Sequence, residues 1–204
     1  MVLIFFDVST YTGNSTAGRT VSHNLGVEPE MMWVKRRSSA GSWGVYHANI
    51  GTDPATKVIK LNQIYGTQVV SSYWNDTAPT STVFTVGTDQ DVNASGHSYI
   101  AYLFASLDGI SKVGSLIKTS SSLNVDCGFT SGARFVLIKR TDSTGDWWVF
   151  DTVRGINSSA VDPYLFLNST AAEGTNLNLI TPLSSGFTIN SALPSGSYIF
   201  YAIA

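Results

Sequence analysis

The sequence repeats itself, and this internal repeat constrains the fold more than any other feature. Residues 31–47 read MMWVKRRSSAGSWGVYH, and residues 135–151 read FVLIKRTDSTGDWWVFD. Lys35 aligns with Lys139 and Trp43 with Trp147, and the ends of the two halves also match, with YIAY at 99–102 and YIFY at 198–201. The 204-residue chain is therefore predicted to contain two tandem copies of a unit of about 100 residues. We predict the first unit over 1–107, a linker over 108–113 and the second unit over 114–204.

Each unit is predicted to consist of β-strands. Short runs of β-branched and aromatic residues alternate with segments rich in Ser, Thr, Gly and Asn. The strand candidates are 31–35, 45–47, 83–86, 99–104, 135–140, 147–150, 164–167 and 198–203. The patterns at 68–73 and 171–179 also fit short helical turns. Together these patterns predict an all-β fold, either a β-sandwich or a barrel-like sheet.

The best-defined element in each copy is a hairpin whose first strand ends in Lys-Arg and whose second strand begins with Trp. Alternation along the second strand places Trp43, Val45 and His47 on one face, and both copies keep the first Trp and the Val. We therefore expect that face to be the core and the Lys-Arg ends to be solvated. Trp148 lies on the opposite face and aligns with Gly44, so it is predicted either to be an exposed contact or to pack between the two units.

Charge and cysteine content exclude several classes of protein. Only 13% of residues are charged and the formal net charge is -2, so no positive field for nucleic-acid binding exists. Cys127 is the single cysteine and cannot form a disulfide within the chain. The apolar run over 1–6 is too short for a signal peptide or a membrane span, so we predict a buried first strand there and no membrane insertion.

The chain is poor in groups that would perform acid–base catalysis. The histidines His23, His47 and His97 do not have the spacing of a zinc protease, and His47 aligns with Asp151 in the second copy. We expect these histidines to be solvated or to lie on edge strands. There are only three glutamates, none of them in an apolar strand where its pKa would be raised as glycosidase chemistry requires. The sequence predicts no catalytic residues, no cofactor and no enzyme activity.

The segment from Asp89 to Asn93 resembles the start of a calcium loop. Asp89, Asp91 and Asn93 alternate as calcium ligands do, but Ala94 and Ile100 stand where an EF-hand loop needs Gly and Glu. An EF-hand is therefore excluded, and we assign no metal site. A looser calcium site and a polar hairpin tip both remain open for this segment.

Several residues are candidates for contact with a partner. Arg36 and Arg37 belong to the densest basic cluster, which could pair with a carboxylate or a sulfate group. Aromatic rings stack on sugars and anchor interfaces, which makes the exposed-contact interpretation of Trp148 relevant to function. Loops at 73–79 and 89–97 supply the other candidates, namely Tyr73, Trp74, Asp89, Asp91, Asn93 and His97.

The chain also resembles a β-rich domain of bacteriophage virion proteins, including tail-fibre proteins of marine and freshwater phages. The strings that carry the resemblance are SHNLGVEP at 22–29, WNDTAPTS at 74–81 and VNASGHSYIAY at 92–102, and it resumes over 135–147 and 198–200. The resemblance extends from about residue 6 to residue 204, and the second copy departs from the pattern at 120–125. It implies a location in the virion, with assembly in the host cytoplasm and release by lysis, and it supplies no catalytic residues.

Three functions are compared. The preferred hypothesis is a tail-fibre or receptor-binding tip module that contacts a host surface glycan or an outer-membrane protein, with other virion proteins as partners. A homo-oligomer is expected because symmetric copies multiply weak contacts. The alternative is a capsid decoration protein that binds coat subunits. A glycan-degrading enzyme ranks third, because the chain offers few pairs of acidic residues.

Overall fold

The structure is a computed structural model that describes residues 4–156 and 161–204. It divides into two compact units, Met1–Ala105 and Ser106–Ala204, which are called unit 1 and unit 2. Residues 108–113, proposed above as a linker, fall inside unit 2, and 111–113 form the start of its first strand. Both units are built from antiparallel β-sheets, as the sequence predicts.

Unit 1 is a sandwich of a six-stranded and a two-stranded sheet. The larger sheet has the order β1-β8-β3-β4-β5-β6, and β2 pairs with β7 in the smaller one. Two single-turn helices, α1 (Ser71–Trp74) and α2 (Gln90–Asn93), follow β6 and β7. The strands are β1 (Phe6–Thr12), β2 (Arg19–Ser22), β3 (Met31–Arg36), β4 (Trp43–His47), β5 (Lys57–Lys60), β6 (Gln68–Val69), β7 (Val83–Val86) and β8 (Ser98–Phe104).

The core of unit 1 lies between its two sheets. Val21, Phe84 and Val86 from the small sheet belong to one buried cluster with Val34 and Tyr99 from the large sheet. Fully burying an aliphatic or aromatic side chain of this size contributes about 1.5–3 kcal/mol. This packing identifies the unit as a β-sandwich and not as a closed barrel.

Unit 2 repeats this architecture with a five-stranded and a three-stranded sheet. Their orders are β13-β12-β11-β16-β9 and β10-β15-β14. Its buried cluster includes Val125 and Phe187 from the small sheet and Val136 and Phe200 from the large one. The strands are β9 (Ser111–Lys118), β10 (Leu123–Asp126), β11 (Phe135–Arg140), β12 (Trp147–Asp151), β13 (Leu165–Phe166), β14 (Ile180–Leu183), β15 (Gly186–Ile189) and β16 (Gly196–Ile203).

Equivalent hydrogen bonds occur within each unit, and the large sheets of the two units have the same strand order. The Lys35 ammonium donates to the carbonyl of Gly41, and its counterpart in unit 2 donates to the carbonyl of Gly145. The backbone N–H of Trp43 donates to Asn62 Oδ1 at 3.0 Å. The matching bond in unit 2 runs from Trp147 to Asn168 Oδ1 at 2.7 Å. The predicted hairpins β3–β4 and β11–β12 are therefore confirmed as copies of one local structure.

The prediction of which face of each hairpin faces the unit's core was wrong. The core clusters contain Tyr46 of β4 and Phe150 of β12, which lie on the face opposite Val45 and Trp147. Val45 and Trp147 are nevertheless buried, so both faces of the hairpin strands are covered. Alternation could not identify the core face, because a strand buried on both sides carries apolar residues at successive positions.

The Lys-Arg strand ends are less solvated than predicted. Lys35, Arg36 and Arg140 are half-buried, and Lys139 is fully buried. Burial lowers the pKa of Lys139 to about 8, against the opposing effect of Asp146. The carbonyl of Gly145 accepts a hydrogen bond from this ammonium and so satisfies it in part.

Two further predictions about local structure are corrected. The apolar N-terminal run is not a buried strand: β1 begins only at Phe6, Ile4 and Phe6 are exposed, and residues 1–3 lie outside the described part. Of the two ambiguous segments, the first ends in α1, whereas residues 171–179 contain no helix. Among the described residues, no helix has the length and apolar character needed to cross a membrane.

Candidate functional site

Loops from distant parts of the sequence meet at one end of unit 1. We call this region the loop end, and it comprises residues 13–18, 36–42 and 89–98. The backbone N–H of Gly13 donates to the His97 carbonyl at 2.8 Å, and that of Ser15 donates to the Asn93 carbonyl at 2.8 Å. The backbone N–H of Arg37 donates to the Ser98 carbonyl at 2.8 Å. These bonds tie the three loops to one another and to strand β8.

Helix α2 positions Asp91 at the centre of the loop end. Asp89 caps this single turn, because its Oδ1 accepts the backbone N–H of Asp91 at 2.8 Å. The Asp91 carboxylate then reaches the turn between β3 and β4, where Oδ1 accepts the backbone N–H of Ser42 at 2.8 Å. Asp89 and Asp91, predicted as contact candidates and left open as ligands of a looser calcium site, thus have different structural roles: one caps the helix and the other joins two elements.

Two further groups converge on the Asp91 carboxylate. The Tyr73 hydroxyl donates to Oδ2 at 2.7 Å, and the Lys60 ammonium lies 3.5 Å from the same oxygen. Burial alone would raise the pKa of Asp91, but hydrogen bonds from Tyr73 and Ser42 and the charge of Lys60 outweigh burial and lower it. Asp91 is therefore a fixed anion whose oxygens are occupied by groups of the protein.

Tyr73 is placed by helix α1 and by a glycine on the neighbouring strand. The ring is buried, and the Lys60 ammonium lies 5.7 Å from its centroid. A Cβ atom at Gly44 would lie 2.9 Å from Tyr73 Cε1, so only glycine leaves space for the ring. Burial raises the pKa of Tyr73, and its hydrogen bond to Asp91 raises it further. The hydroxyl therefore stays protonated and acts as a donor.

The two predicted arginines differ in their surroundings. The Arg36 guanidinium donates to the Ala40 carbonyl, and its Nε is buried without a hydrogen-bond partner among the described residues. A Cβ at Gly41 would lie 2.9 Å from Asp91 Oδ1 and 3.1 Å from Arg36 Nη2. Gly41 thus allows the turn to pass between these two charges. The side chain of Arg37 is exposed.

His97 forms the outer part of the loop end with Ser38. The Ser38 hydroxyl lies 3.0 Å from His97 Nδ1 and accepts the backbone N–H of Ser98 at 3.1 Å. A serine beside a histidine is also found in nucleophilic catalysis, where a third group orients the histidine. In the described part of the chain, no carboxylate is hydrogen-bonded to His97. The pair offers a polar contact surface.

Asn93, predicted as a contact residue, is instead a structural residue. It is fully buried, and its Nδ2 donates to the carbonyls of Gly87 at 2.7 Å and Thr16 at 3.0 Å. Its Oδ1 accepts the backbone N–H of Asn14 at 2.9 Å. Because this side chain is fully buried and held by three backbone groups, Asn93 does not join Asp89 and Asp91 as a calcium ligand in this structure. Within 4–156 and 161–204, no group of three or more His, Cys, Asp or Glu residues is placed to hold a metal ion.

The predicted aromatic contacts Trp74 and Trp148 both pack inside their units. Trp74 is completely buried, and its indole N–H donates to the Lys57 carbonyl at 2.9 Å. Trp148 is half-buried and packs on the core of unit 2, with its ring centroid 4.6 Å from that of Phe166 and 4.9 Å from that of Tyr164. The Trp74 ring is therefore closed to a ligand, and the Trp148 ring is in part occupied by packing within unit 2.

The remaining histidines are buried, contrary to the prediction that they are solvated or lie on edge strands. His23 Nδ1 accepts the backbone N–H of Leu25 at 3.3 Å, and its Nε2 lies 3.0 Å from the Thr80 carbonyl. His47 Nδ1 accepts the backbone N–H of Asn49 at 3.1 Å. Both rings therefore hold backbone groups in place within unit 1.

Sequence reasoning missed Lys60, Ser42 and Ser38. Ser38 and Ser42 lie in a polar turn and Lys60 ends the apolar strand β5, none of them in a motif, and only the sandwich topology brings them to Asp91 or His97. The spacing of polar and apolar residues could not have identified them, because the partners come from separate strands and loops.

Comparison with known proteins gives one match over nearly the whole chain. A family model described as "Domain of unknown function (DUF7483)" matches residues 4–204. Neither the curated proteins nor the solved structures that were searched contain a match.

Proposed function

We propose that this chain, which belongs to the DUF7483 family, is a non-enzymatic binding module of a bacteriophage virion. It contacts the surface of the host cell, as a tail-fibre or receptor-binding tip does. The observation that carries the proposal is the loop end of unit 1, where hydrogen-bonded loops present Arg37, Ser38 and His97. The virion location rests on the resemblance of the sequence to phage structural proteins.

The loop end has the physical properties of a preorganised binding surface. Binding residues are commonly placed on loops that a rigid scaffold holds in position. Here the loops are joined through backbone hydrogen bonds and through the buried amide of Asn93. A surface that is already ordered loses little conformational entropy when a ligand binds. This supports a role in recognition.

The exposed guanidinium of Arg37 favours an acidic ligand group at the loop end. The Asp91 carboxylate offsets the nearby Lys60 ammonium, whereas Arg37 is exposed and is in no ion pair within the described residues. Guanidinium groups form two parallel hydrogen bonds with a carboxylate or a sulfate. The Ser38 hydroxyl and the His97 ring add polar contacts next to it. The ligand is therefore an acidic group on a surface glycan or on an outer-membrane protein.

A binding assay on acidic and neutral glycans tests this proposal. Fluorescently labelled protein is applied to a glycan array and to intact bacterial cells, and Arg37→Ala is expected to weaken binding about tenfold, as the loss of a charge-assisted hydrogen bond does. Arg134→Ala is the matched control, because Arg134 is also exposed but lies in unit 2. Equal binding by wild type and Arg37→Ala, or no binding to any surface, would contradict the proposal.

The location of the protein on a phage particle separates the two virion functions. Gold-labelled antibody at the tail tip supports the receptor-binding role. A regular array of label over the head would favour capsid decoration and would overturn the host-contact role.

A further inference from the structure

A cleft on unit 2 has a lining unlike the loop end of unit 1. Its volume is about 360 Å³, at the small end of the range for ligand pockets. Two carboxamides and four hydroxyl groups form the lining, and none of these side chains is charged or aromatic. They belong to Ser121, Ser122, Asn178, Thr181, Asn190 and Ser191.

The hairpin β14–β15 builds this cleft. Thr181 pairs with Thr188 across the hairpin, and the neighbouring Ile180 and Ile189 belong to the core, so alternation directs Thr181 away from it. The backbone N–H of Asn190 donates to the Leu179 carbonyl at 2.8 Å, which brings Asn190 beside Asn178. Within 4–105 no strand corresponds to β14, and the small sheet of unit 1 has two strands only. The cleft is therefore specific to unit 2.

The two carboxamides orient each other. Asn190 Nδ2 donates to Asn178 Oδ1, which leaves Asn178 Nδ2 as a donor and Asn190 Oδ1 as an acceptor. No hydrogen bond in the described parts of the chain uses either of these atoms. The hydroxyls of Thr181 and of the three lining serines are likewise unused within those parts. The cleft thus presents a donor and an acceptor side by side among unengaged hydroxyls.

None of the described residues that line the cleft is charged. Lys118 is near in sequence, but it is buried and its ammonium donates to the Ser120 carbonyl at 2.8 Å. An ionic ligand would lose hydration here without gaining an opposite charge, and an apolar ligand would meet polar groups that prefer water. A neutral polyhydroxylated ligand avoids both of these costs, because each of its hydroxyls can exchange a water for an amide or a hydroxyl partner.

We propose that this cleft binds a neutral saccharide. Adjacent hydroxyls of an uncharged sugar would accept from Asn178 Nδ2 and donate to Asn190 Oδ1, with the surrounding hydroxyls completing the contact. The site is separate from the loop end and differs from it in ligand charge. It does not depend on the proposed function.

Nuclear magnetic resonance with the full chain tests the proposal. Glucose, galactose, N-acetylglucosamine and maltotriose are titrated to about 100 mM, a range that detects the weak affinities expected for single sugars. At least one of them is expected to shift the side-chain amide signals of Asn178 and Asn190. Galacturonic acid, which carries a carboxylate on the galactose ring, is expected to bind more weakly than galactose.

Variants locate the binding to the cleft. Asn178→Ala and Asn190→Ala are each expected to weaken binding about two- to tenfold, as expected for the loss of one or two hydrogen bonds. Ser191→Arg is expected to block the cleft without removing a backbone bond, because Ser191 is exposed. Asn24→Ala is the control, since Asn24 is exposed and lies in unit 1.

The outcomes are distinguishable from those for the loop end. Sugar-induced shifts of backbone amide signals around the cleft that persist in the Asn178→Ala/Asn190→Ala double variant would overturn the proposal. The absence of shifts with every neutral sugar would also overturn it, as would tighter binding of galacturonic acid than of galactose. Arg37→Ala is expected to leave sugar-induced shifts in this cleft unchanged, so that failure of one site does not count against the other.

Discussion

A single carboxylate, Asp91, organises the loop end of unit 1. It holds groups from the β3–β4 turn, from β5 and from α1, through Ser42, Lys60 and Tyr73. The sequence predicted Asp91 and Tyr73 as two separate candidates in different loops. It could not predict that they meet, because the contact depends on the placement of α1 and α2 within the sandwich. The prediction that Trp74 is a contact residue failed for the same reason. Adjacent residues of the short helix α1 point in different directions, so that Tyr73 reaches Asp91 whereas Trp74 lies in the core.

We predict that Asp91 stabilises unit 1 in a pH-dependent way. Because folding lowers the pKa of Asp91, its contribution is fully present above the ordinary aspartate pKa of about 3.9 and is lost as the pH falls through the folded value. Asp91→Asn is expected to lower the free energy of unfolding by about 1–3 kcal/mol at neutral pH. The difference from wild type is expected to shrink below about pH 4. Urea denaturation over this pH range measures both effects.

The control for Asp91 is Asp76→Asn, a change of the same chemistry at an exposed position of unit 1. Its free energy of unfolding at neutral pH is expected to stay close to that of wild type. A loss in Asp91→Asn that is equal at pH 7 and pH 3 would show that the carboxylate charge plays no part.

Lys139 gives a prediction for the alkaline range, with the same sign as that for Asp91, because stability again rises with pH. Folding lowers its pKa to about 8, from about 10.4 in an unfolded chain, so the unfolded state binds more protons between these values. Wild type is therefore expected to gain about 2 kcal/mol of stability relative to Lys139→Met as the pH rises from 7 to 10. Guanidinium denaturation at several pH values measures this gain. Parallel pH profiles for the two proteins would contradict the burial of a charged ammonium.

At the level of elements, the two hairpins show that the same strand arrangement can be packed with different side chains. In unit 1 a glycine at position 44 leaves space for Tyr73 of α1. In unit 2 the aligned position is Trp148, whose own ring packs with Tyr164 and Phe166 on the core, and no helix follows β13. The change from Gly44 to Trp148, visible in the repeat alignment, therefore accompanies the loss of α1.

A double-mutant cycle tests this pairing of Gly44 with Tyr73. Gly44→Ala alone is expected to destabilise unit 1 by about 1–3 kcal/mol, because the new methyl group would overlap the Tyr73 ring. In a Tyr73→Ala background the same change is expected to cost at least about 1 kcal/mol less. Chemical denaturation of the four proteins gives the interaction energy. An interaction energy near zero would show that the glycine is required for another reason.

The strands that the sequence predicted are those with uninterrupted β-branched and aromatic runs, such as β3, β8, β11 and β16. It missed strands whose patterns are short or broken. β9 contains a glycine at its centre, where Gly114 packs against the Phe200 ring, and β14 contains Pro182. Both lie at the edge of a sheet, where an irregular sequence is tolerated because one side needs no partner strand.

At the scale of the whole molecule, the chain consists of two similar β-sandwich units that differ at their surfaces and in part of their interiors. Internal alignment was sufficient to predict the duplication and the all-β fold, because both depend on repeated apolar patterns. It was not sufficient to place the loop end or the cleft of unit 2, since both are made of polar residues from separate segments. In our account the first surface binds acidic groups and the second binds neutral sugars.

The central claim is that the protein binds a surface polymer and leaves it intact. The most direct measurement incubates the protein with purified acidic envelope polysaccharide and determines both the bound fraction and the number of reducing ends. We predict saturable binding that Arg37→Ala weakens about tenfold, with no increase in reducing ends over time. A steady increase in reducing ends, or binding that Arg37→Ala leaves unchanged, would contradict the account.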